Sequence, residues 1–404
     1  MRKTITKALS ILLVGSAILS PVKSNAAGKT IGAYKCTTYT KGKGSDAKTI
    51  YQEVKKKDKN YSGQYLDAAT NKISSKHFYD TSKTIKYWSS HGNVDGNLFG
   101  NAKNDVDFTI MKNFSWAGGN LEFVFLAACN QLNKDDGPLK TYAKAMRGSK
   151  AVRVVCGYHS KAPAGGDNLV AKKFISYAKT GESVKSSWIK ANEYVAGLKN
   201  NQKDALAANY AVLTHSGNVQ YSRFPGFPGN TYTRPGSNSK KILRFRKKVN
   251  NEVILKAAQK IKVNSLAEGK YKQKSIKFEV ASDCEEMAFN DGNKLCLDGG
   301  EVKNQKIGLS KSDIYNEVTE YVDENLTNSE KIDLEKNEMV VEPILMDDAL
   351  SSDNKETVVA YSVTFPHIYN GYTVDDDKLV AIVDNDGVKY TAVNWSEIQK
   401  KEIK

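Results

Sequence analysis

The sequence predicts an α/β protein with a mainly parallel sheet flanked by helices, followed by a smaller α+β domain. Nearly uninterrupted apolar runs, as at Leu121–Ala128 and Ala151–Cys156, indicate strands that are buried on both faces. Amphipathic helical segments separate these runs, and this alternation is typical of parallel sheets covered by helices. The C-terminal part differs, because its apolar and polar residues alternate as they do in antiparallel strands.

Apolar periodicity and capping residues place the individual elements. In chain order, the first part is predicted to contain a strand within Lys29–Thr40, a helix over Ala47–Lys57, a helical or irregular segment over Tyr61–Lys76, a strand at Ile85–Ser89, the strand at Leu121–Ala128, a helix over Leu139–Met146, the strand at Ala151–Cys156, and helices over Asn168–Lys179 and Val184–Val195. In the second part we expect a helix over Ile314–Leu326 and strands at Val358–Thr364, Leu379–Val383 and Val388–Val393. The sequence Asp384–Gly387 (DNDG), between the last two strands, is typical of a hairpin turn.

The N-terminus has the three parts of a secretory signal. Arg2, Lys3 and Lys7 precede an apolar stretch, and small residues end at Ala26-Ala27. We therefore expect residues 1–27 to be removed and the mature protein to be secreted or associated with the cell wall. No transmembrane segment is expected after that removal, since no later run approaches the length of a membrane span.

Charge and composition divide the mature chain into two domains. Residues 1–240 carry 36 basic and 15 acidic residues, whereas residues 241–404 carry 24 basic and 30 acidic residues. A stretch rich in Pro, Gly and Ser, Phe224–Lys240, separates the two parts and is typical of a linker. We predict domains at residues 28–225 and 241–404, joined by a linker at 226–240. The opposite charges would allow the second domain to dock on the first, or the two surfaces could be independent.

The chain has five cysteines, an odd number, so at least one thiol in an exported protein stays free or pairs between chains. Cys36 could pair with Cys156, and Cys284 with Cys296, which would leave Cys129 free. All four could equally be small buried residues with inert thiols.

Two apolar runs end on side chains that are able to carry out catalysis. The run at residues 85–92 (IKYWSSHG) ends in His91-Gly92, and the run at residues 121–129 (LEFVFLAAC) ends in Cys129. Ligands of open α/β sheets sit at the carboxyl ends of the strands, where both side chains would fall. Because a cysteine attacks a carbonyl only as the thiolate, it needs a base nearby, and imidazole is the usual one. The backbone N–H groups of Gly92 and Cys129 could then bind an oxyanion.

These blocks resemble the caspase-like cysteine peptidases, a group that includes caspases, legumain, gingipain and clostripain. The strand at Val154–Gly157 and the helix at Ser183–Asn192 extend the similarity, which covers roughly residues 30–225 and is closest to an uncharacterised exported bacterial family with a caspase-like core. The resemblance implies that Cys129 is the nucleophile, that His91 is the general acid/base, and that Gly92 and Cys129 form the oxyanion hole. It implies a peptide or protein substrate.

The sequence departs from the family pattern at Ala127, two residues before Cys129. Relatives that prefer basic or acidic substrate side chains often carry a carboxylate at this position. The segments after the two central strands, Asn130–Asp136 and Tyr158–Asp167, are where a substrate side chain would be recognised. The candidate substrate-binding residues are Asn130, Gln131, Tyr158, His159 and Asp167, and Asp135 and Asp136 are alternatives.

The C-terminal segment Val358–Trp395 is similar to PepSY-type modules, which accompany secreted bacterial peptidases. This similarity implies an inhibitory or chaperone-like partner for the basic domain. Two other functions remain open: a non-catalytic surface or wall-binding protein on a caspase-like scaffold, and an inhibitor of another peptidase that acts through its C-terminal half. No metal-binding spacing or phosphate-binding loop is present, so we expect no cofactor, no metal and no nucleic-acid partner. The basic run Lys240–Lys248 is interpreted as an exposed strand start.

Overall fold

The structure is a computed structural model, and it describes only part of the chain. The described residues are 28–37, 46–100, 107–135, 137–149, 151–163, 165–198, 205–216, 222–229, 241–248, 279–280, 295–298, 301–302, 305–326, 329, 332–352, 355–369, 372–395 and 398–399. The predicted signal segment, residues 230–240 of the predicted linker, Asp136 and Cys284 lie outside these ranges, and so does the side chain of Cys296.

The described residues form a mixed α/β protein. The strands are β1 Thr30–Lys35, β2 Ser62–Asp67, β3 Ile85–Ser89, β4 His91–Gly92, β5 Asn97–Phe99, β6 Phe108–Thr109, β7 Phe123–Ala127, β8 Val154–Tyr158, β9 Tyr210–His215, β10 Ile242–Lys247, β11 Glu279–Val280, β12 Leu295–Asp298, β13 Val340–Asp348, β14 Thr357–Tyr369, β15 Tyr372–Asp384, β16 Gly387–Asn394 and β17 Ile398–Gln399. The helices are α1 Asp46–Lys57, α2 Ser75–Tyr79, α3 Pro138–Gly148, α4 Asp167–Lys179, α5 Val184–Leu198 and α6 Lys311–Asn325, with short 3-10 helices at Leu206–Asn209 and Lys336–Glu338.

One large sheet runs through both halves of the chain. Its strand order is β12-β16-β15-β14-β13-β10-β9-β8-β7-β3-β1-β2. The strands β2, β1, β3, β7 and β8 are parallel, and every pairing from β8 to β12 is antiparallel. The strands β4, β5 and β6 form a separate small sheet, and β11 pairs with β17. The parallel part therefore lies within residues 28–225, and the antiparallel part extends it.

The predicted domain boundary falls inside this sheet. Strand β10 follows the predicted linker, yet it pairs with β9 on one side and with β13 on the other. Contacts also reach across the boundary between helices and strands, since the hydroxyls of Tyr177 in α4 and Tyr390 in β16 lie 2.9 Å apart. A continuous sheet therefore joins the described parts of the basic and acidic halves.

Alternation along the parallel strands produces a hydrophobic core on each face of the sheet. Tyr87 and Phe125 belong to the core that α1, α4 and α5 cover, whereas the next residues, Trp88 and Leu126, belong to the core under α2 and α3. A third core lies between α6 and strands β14–β16. Because both faces are covered, the apolar runs in the sequence are nearly uninterrupted.

Three sequence-based expectations are corrected by the structure. The segment predicted as helical or irregular, Tyr61–Lys76, contains strand β2, an edge strand whose first residues are exposed and polar. The basic run around β10 is a buried central strand and not an exposed strand start, because its charged side chains are paired within the protein. Cys36 and Cys156 are free and cannot pair, because β3 and β7 separate β1 from β8.

Within the part of the chain that the structure describes, no helix combines the length and the apolar character that crossing a membrane requires.

Candidate functional site

The predicted dyad residues follow two adjacent parallel strands. Strands β3 and β7 pair in register, with Ser89 opposite Ala127, so both strands end at the same edge of the sheet. The N–H of Ser90 donates to the carbonyl oxygen of Ala127 at 3.2 Å, so the two strands stay hydrogen-bonded for one more residue. His91 and Cys129 each lie two residues beyond the paired ends. The register therefore places residues 91 and 129 just beyond adjacent strand ends, at the carboxyl edge of the sheet.

Gly92 passes very close to residues 128–135, which we call the nucleophile loop after the role predicted for Cys129. A Cβ atom built on Gly92 would lie 2.5 Å from the carbonyl oxygen of Cys129 and 2.7 Å from Nε2 of Gln131. No other residue fits this position unless the segment of Gly92 or the segment of Cys129 moves. The absence of a side chain at residue 92 is thus what allows the backbone after His91 to approach Cys129.

The hairpin after His91 orients the N–H of Gly92. Asn93 donates its N–H to the carbonyl oxygen of Asn97 at 3.3 Å, and Gly92 lies opposite Leu98. Hydrogen-bonded and non-hydrogen-bonded pairs alternate in an antiparallel ladder, so the Gly92–Leu98 pair is of the second kind. The N–H of Gly92 consequently points away from β5, as an oxyanion donor requires.

The imidazole of His91 is half-buried and packs on an aromatic ring. It stacks with the ring of Phe99, with centroids 5.3 Å apart and planes inclined by 28°. Burial lowers the pKa of His91 below its ordinary value, because a half-buried ring lacks part of the water that would solvate its positive charge. The neutral ring, which is able to accept a proton, is therefore the favoured form near neutral pH.

The thiol of Cys129 is partly exposed and accepts a backbone hydrogen bond. The N–H of Ala162, in the segment after β8, donates to Sγ of Cys129 at 3.3 Å. Cys36 and Cys156 are fully buried, and burial raises the pKa of each well above its ordinary value. Among these three free cysteines, Cys129 is thus the one suited to react.

The chain turns sharply directly after Cys129. Asn130 has a φ of 62°, and among the described residues it is the one position other than glycine with a positive φ. Its N–H donates to the carbonyl oxygen of Ser160 at 2.9 Å, and the N–H of Leu132 donates to the carbonyl oxygen of Tyr158 at 2.9 Å. Backbone strain of this kind persists only where the surroundings hold it, and it is concentrated at functional sites.

Gln131, a predicted substrate contact, is fully buried and connects the two loops instead. Its Nε2 donates to the carbonyl oxygens of Cys129 at 3.2 Å and of Asn93 and Asn97 at 3.4 Å each. Its Oε1 accepts a hydrogen bond of 2.8 Å from the hydroxyl of Tyr142. The amide therefore joins the loop after His91 to the nucleophile loop.

The remaining predicted substrate contacts surround the same edge of the sheet. Tyr158 is buried, and burial together with the nearby charges of Asp167 and Asp46 raises the pKa of its hydroxyl well above the ordinary value. Asp167 is the first residue of α4 and is half-buried. Burial, with Arg246 and Arg244 nearby, lowers the pKa of His159 to about 4. Asp135 is exposed on the nucleophile loop.

Two residues at the site were not recognised as functional from the sequence. Asp46 begins α1 and accepts a hydrogen bond of 2.9 Å from the hydroxyl of Tyr87, and burial raises the pKa of its carboxyl group. Arg244 in β10 donates from Nη1 to the carbonyl oxygen of Leu132 at 3.4 Å. Asp46 directly precedes the predicted helix over Ala47–Lys57 without any sign of a functional role, and no local pattern connects Arg244 with residue 132.

Metal-binding side chains do not gather in groups of three or more among the residues described. No curated protein matches the chain. Residues 39–242 match a family described as a domain of unknown function, DUF6345. The match contains both strand ends, the nucleophile loop and the beginning of β10, and it spans just over half of the sequence. The chain therefore belongs to the DUF6345 family.

Proposed function

We propose that the protein is a cysteine endopeptidase in which Cys129 and His91 hydrolyse peptide bonds. The observation that carries this proposal is the register of β3 and β7, which brings the two side chains to adjacent strand ends. The parallel arrangement of β2, β1, β3, β7 and β8 supports the caspase-like fold that the sequence resembles. The signal-like residues 1–27 support export from the cell.

The reaction would proceed in two steps. Cys129 passes its proton to His91, and Sγ attacks the scissile carbonyl carbon, which forms a tetrahedral oxyanion. The N–H groups of Gly92 and Cys129 would donate to this oxyanion. His91 then protonates the leaving amine, which leaves an acyl group on Sγ. Water, deprotonated by His91, attacks the acyl carbon and releases the carboxylate product and the free thiol.

Several features of the site support this division of roles. The lowered pKa of His91 keeps the ring neutral near neutral pH, so a ring nitrogen is free of a proton before the reaction begins. The hydrogen bond from the N–H of Ala162 holds Sγ of Cys129 in one place at the end of the strand. The close approach of Gly92 to Cys129, together with the ladder alternation that turns the N–H of Gly92 outward, suits an oxyanion donor.

Cleavage of a peptide library by the purified protein tests the proposal. We expect Cys129→Ala and His91→Ala to lose cleavage, and a thiol-directed reagent to label Cys129 in the native protein. Cys156→Ala is the matched control, because it makes the same change at a fully buried thiol and should keep cleavage. Equal cleavage by Cys129→Ala and the unchanged protein, with no label on Cys129, would rule the proposal out.

A further inference from the structure

The nucleophile loop is held by two strands that lie beyond the predicted linker. Arg244 in β10 lies directly opposite Asp347 in β13 in the antiparallel register. Residues opposite each other in such a ladder have Cβ atoms about 5 Å apart, so their side chains meet. From this pair, Arg244 also reaches the carbonyl oxygen of Leu132 in the nucleophile loop. The loop and the C-terminal half are therefore in direct contact.

The geometry of the pair fixes the direction of the guanidinium group. Nε of Arg244 donates to Oδ1 of Asp347 at 3.1 Å, and Nη2 donates to Oδ2 at 2.5 Å. Two parallel hydrogen bonds hold the planar fork in one orientation. Nη1 then points at the carbonyl oxygen of Leu132, 3.4 Å away. Asp347 thus fixes the direction in which Nη1 of Arg244 donates its hydrogen bond.

Burial makes this contact stronger than an ion pair on the surface. The side chains of Arg244 and Asp347 are 1% and 2% exposed. A buried charge that loses its partner is strongly destabilising, so the pair is expected to stay closed in the folded protein. Lys134, also in the nucleophile loop, places Nζ 3.7 Å from Oδ2 of Asp347 and adds a second link to the same carboxylate.

The loop requires support because its backbone is strained at Asn130. On one side, the last residue of β8 and the segment after it bind the loop, since Tyr158 accepts from the N–H of Leu132 and Ser160 accepts from the N–H of Asn130. Arg244 binds the carbonyl of Leu132 from the other side, so both backbone polar groups of this residue have partners inside the protein. With Leu132 fixed, the turn at Asn130, two residues earlier, is held as well, and Cys129 keeps its place beside Gly92 and Ala162.

We propose that Arg244, oriented by Asp347, is a positioning residue for Cys129, and that β10 and β13 are consequently part of the catalytic unit. This inference rests on the proposed function of Cys129. It assigns the C-terminal half a supporting role in the reaction, through a contact that the sequence-based expectation of an inhibitory domain did not include.

A buried ion pair at the N-terminal ends of β7 and β8, far along these strands from the nucleophile loop, provides a matched control. Glu122 precedes β7 and Arg153 precedes β8, and Nε of Arg153 lies 2.9 Å from Oε2 of Glu122. Both side chains are as well buried as the Arg244–Asp347 pair. Glu122→Gln should therefore lower stability in the same way without disturbing the nucleophile loop.

The test compares full-length Arg244→Gln, Asp347→Asn and Glu122→Gln with the unchanged protein. Three quantities are measured: thermal unfolding, kcat and KM for a cleaved peptide, and the pH dependence of Cys129 alkylation by iodoacetamide, read at that residue by mass spectrometry. In Arg244→Gln and Asp347→Asn we expect kcat to fall by about tenfold or more, with KM within about twofold, because a displaced nucleophile affects the chemical step. The alkylation profile of Cys129 should also differ from that of the unchanged protein, because Sγ no longer lies at the N–H of Ala162. Glu122→Gln should change stability alone.

The outcomes separate the two proposals. If the unchanged protein cleaves no peptide, the proposed function fails, and the alkylation profile still decides whether Arg244 positions Cys129. The positioning role is overturned if Arg244→Gln and Asp347→Asn lose as much stability as Glu122→Gln and also have the same kcat and alkylation profile as Glu122→Gln. It is also overturned if neither variant folds while Glu122→Gln does, because the pair would then serve folding only.

Discussion

Gly92 and Cys129 approach each other so closely that a Cβ atom at residue 92 would lie 2.5 Å from the carbonyl oxygen of Cys129. Van der Waals contacts of carbon and oxygen do not tolerate this distance, so a side chain there must push the loop of His91 away from the nucleophile loop. The relationship connects a local sequence feature, a glycine after a histidine, with the position of the proposed nucleophile.

Gly92→Ala should therefore abolish most of the peptidase activity while the protein stays folded. We expect kcat/KM to fall by about 100-fold or more, because small displacements of reacting groups cost this much. Peptide cleavage and circular dichroism measure the two effects. Gly148→Ala is the control, since its nearest neighbour would be Oγ of Ser115 at an ordinary 3.5 Å. Unchanged cleavage by Gly92→Ala would contradict the proposed closeness of the two loops.

The buried amide of Gln131 leads to a second prediction. Gln131→Leu keeps the approximate volume but leaves the carbonyl oxygens of Cys129, Asn93 and Asn97 without this donor. We expect a loss of roughly 1–3 kcal/mol in the free energy of unfolding, and a lower kcat, because the two loops are no longer joined. Urea unfolding and peptide cleavage provide the measurements.

Tyr142→Phe is the control for Gln131. It removes only the hydroxyl that donates to Oε1, while the ring keeps its stacking on Trp116. Its effect on kcat should be much smaller than that of Gln131→Leu. Equal effects on kcat would show that the amide does not act by joining the loops.

The strands around the site could be predicted from the sequence because their burial is visible in it. Strands β3, β7 and β8 are covered on both faces, so nearly every residue is apolar. Strand β2 lies at the edge of the sheet, and its polar residues resemble those of a loop or an exposed helix. In β10, the charged residues Arg244 and Lys247 are buried as ion pairs. Hydropathy does not distinguish a charge that faces water from one that faces a partner far away in sequence.

The same limit applies to the site itself. His91 and Cys129 were predicted because each follows a recognisable strand, and the position depends only on local sequence. Gln131 was predicted to contact the substrate because it lies in the segment directly after a central strand, whereas its partners come from the His91 hairpin and α3. Arg244 lies more than a hundred residues from Leu132. Such pairings depend on topology, which local patterns do not specify.

The positive φ of Asn130 gives a third prediction. Asparagine tolerates this backbone region better than most residues, glycine adopts it freely, and a β-branched side chain is strongly disfavoured there. Asn130→Gly should retain cleavage and stability, whereas Asn130→Val should lose roughly 1–3 kcal/mol of unfolding free energy and most of its cleavage. Urea unfolding and peptide cleavage of both variants check this. If Asn130→Val equals Asn130→Gly in both measurements, the turn is not strained as described.

His159 predicts how stability depends on pH. Burial, with Arg246 and Arg244 nearby, holds its pKa at about 4 in the folded protein, below the ordinary value of about 6.5 expected in the unfolded chain. The unfolded chain therefore binds more protons between these values. The contribution of His159 to stability is complete above pH 6.5 and is lost as the pH falls toward 4, by roughly 3 kcal/mol in total.

Replacing His159 by glutamine should remove this dependence without affecting the other titrating groups. Urea unfolding of His159→Gln and of the unchanged protein is compared at pH 7.5 and again near pH 4.5. At the higher pH the difference between the two proteins reports only the change in packing and hydrogen bonding. At the lower pH the variant should have gained stability relative to the unchanged protein, because only the latter must keep an imidazole uncharged beside two guanidinium groups. A difference that is the same at both pH values would mean that His159 takes up its proton as readily in the folded protein as in the unfolded chain.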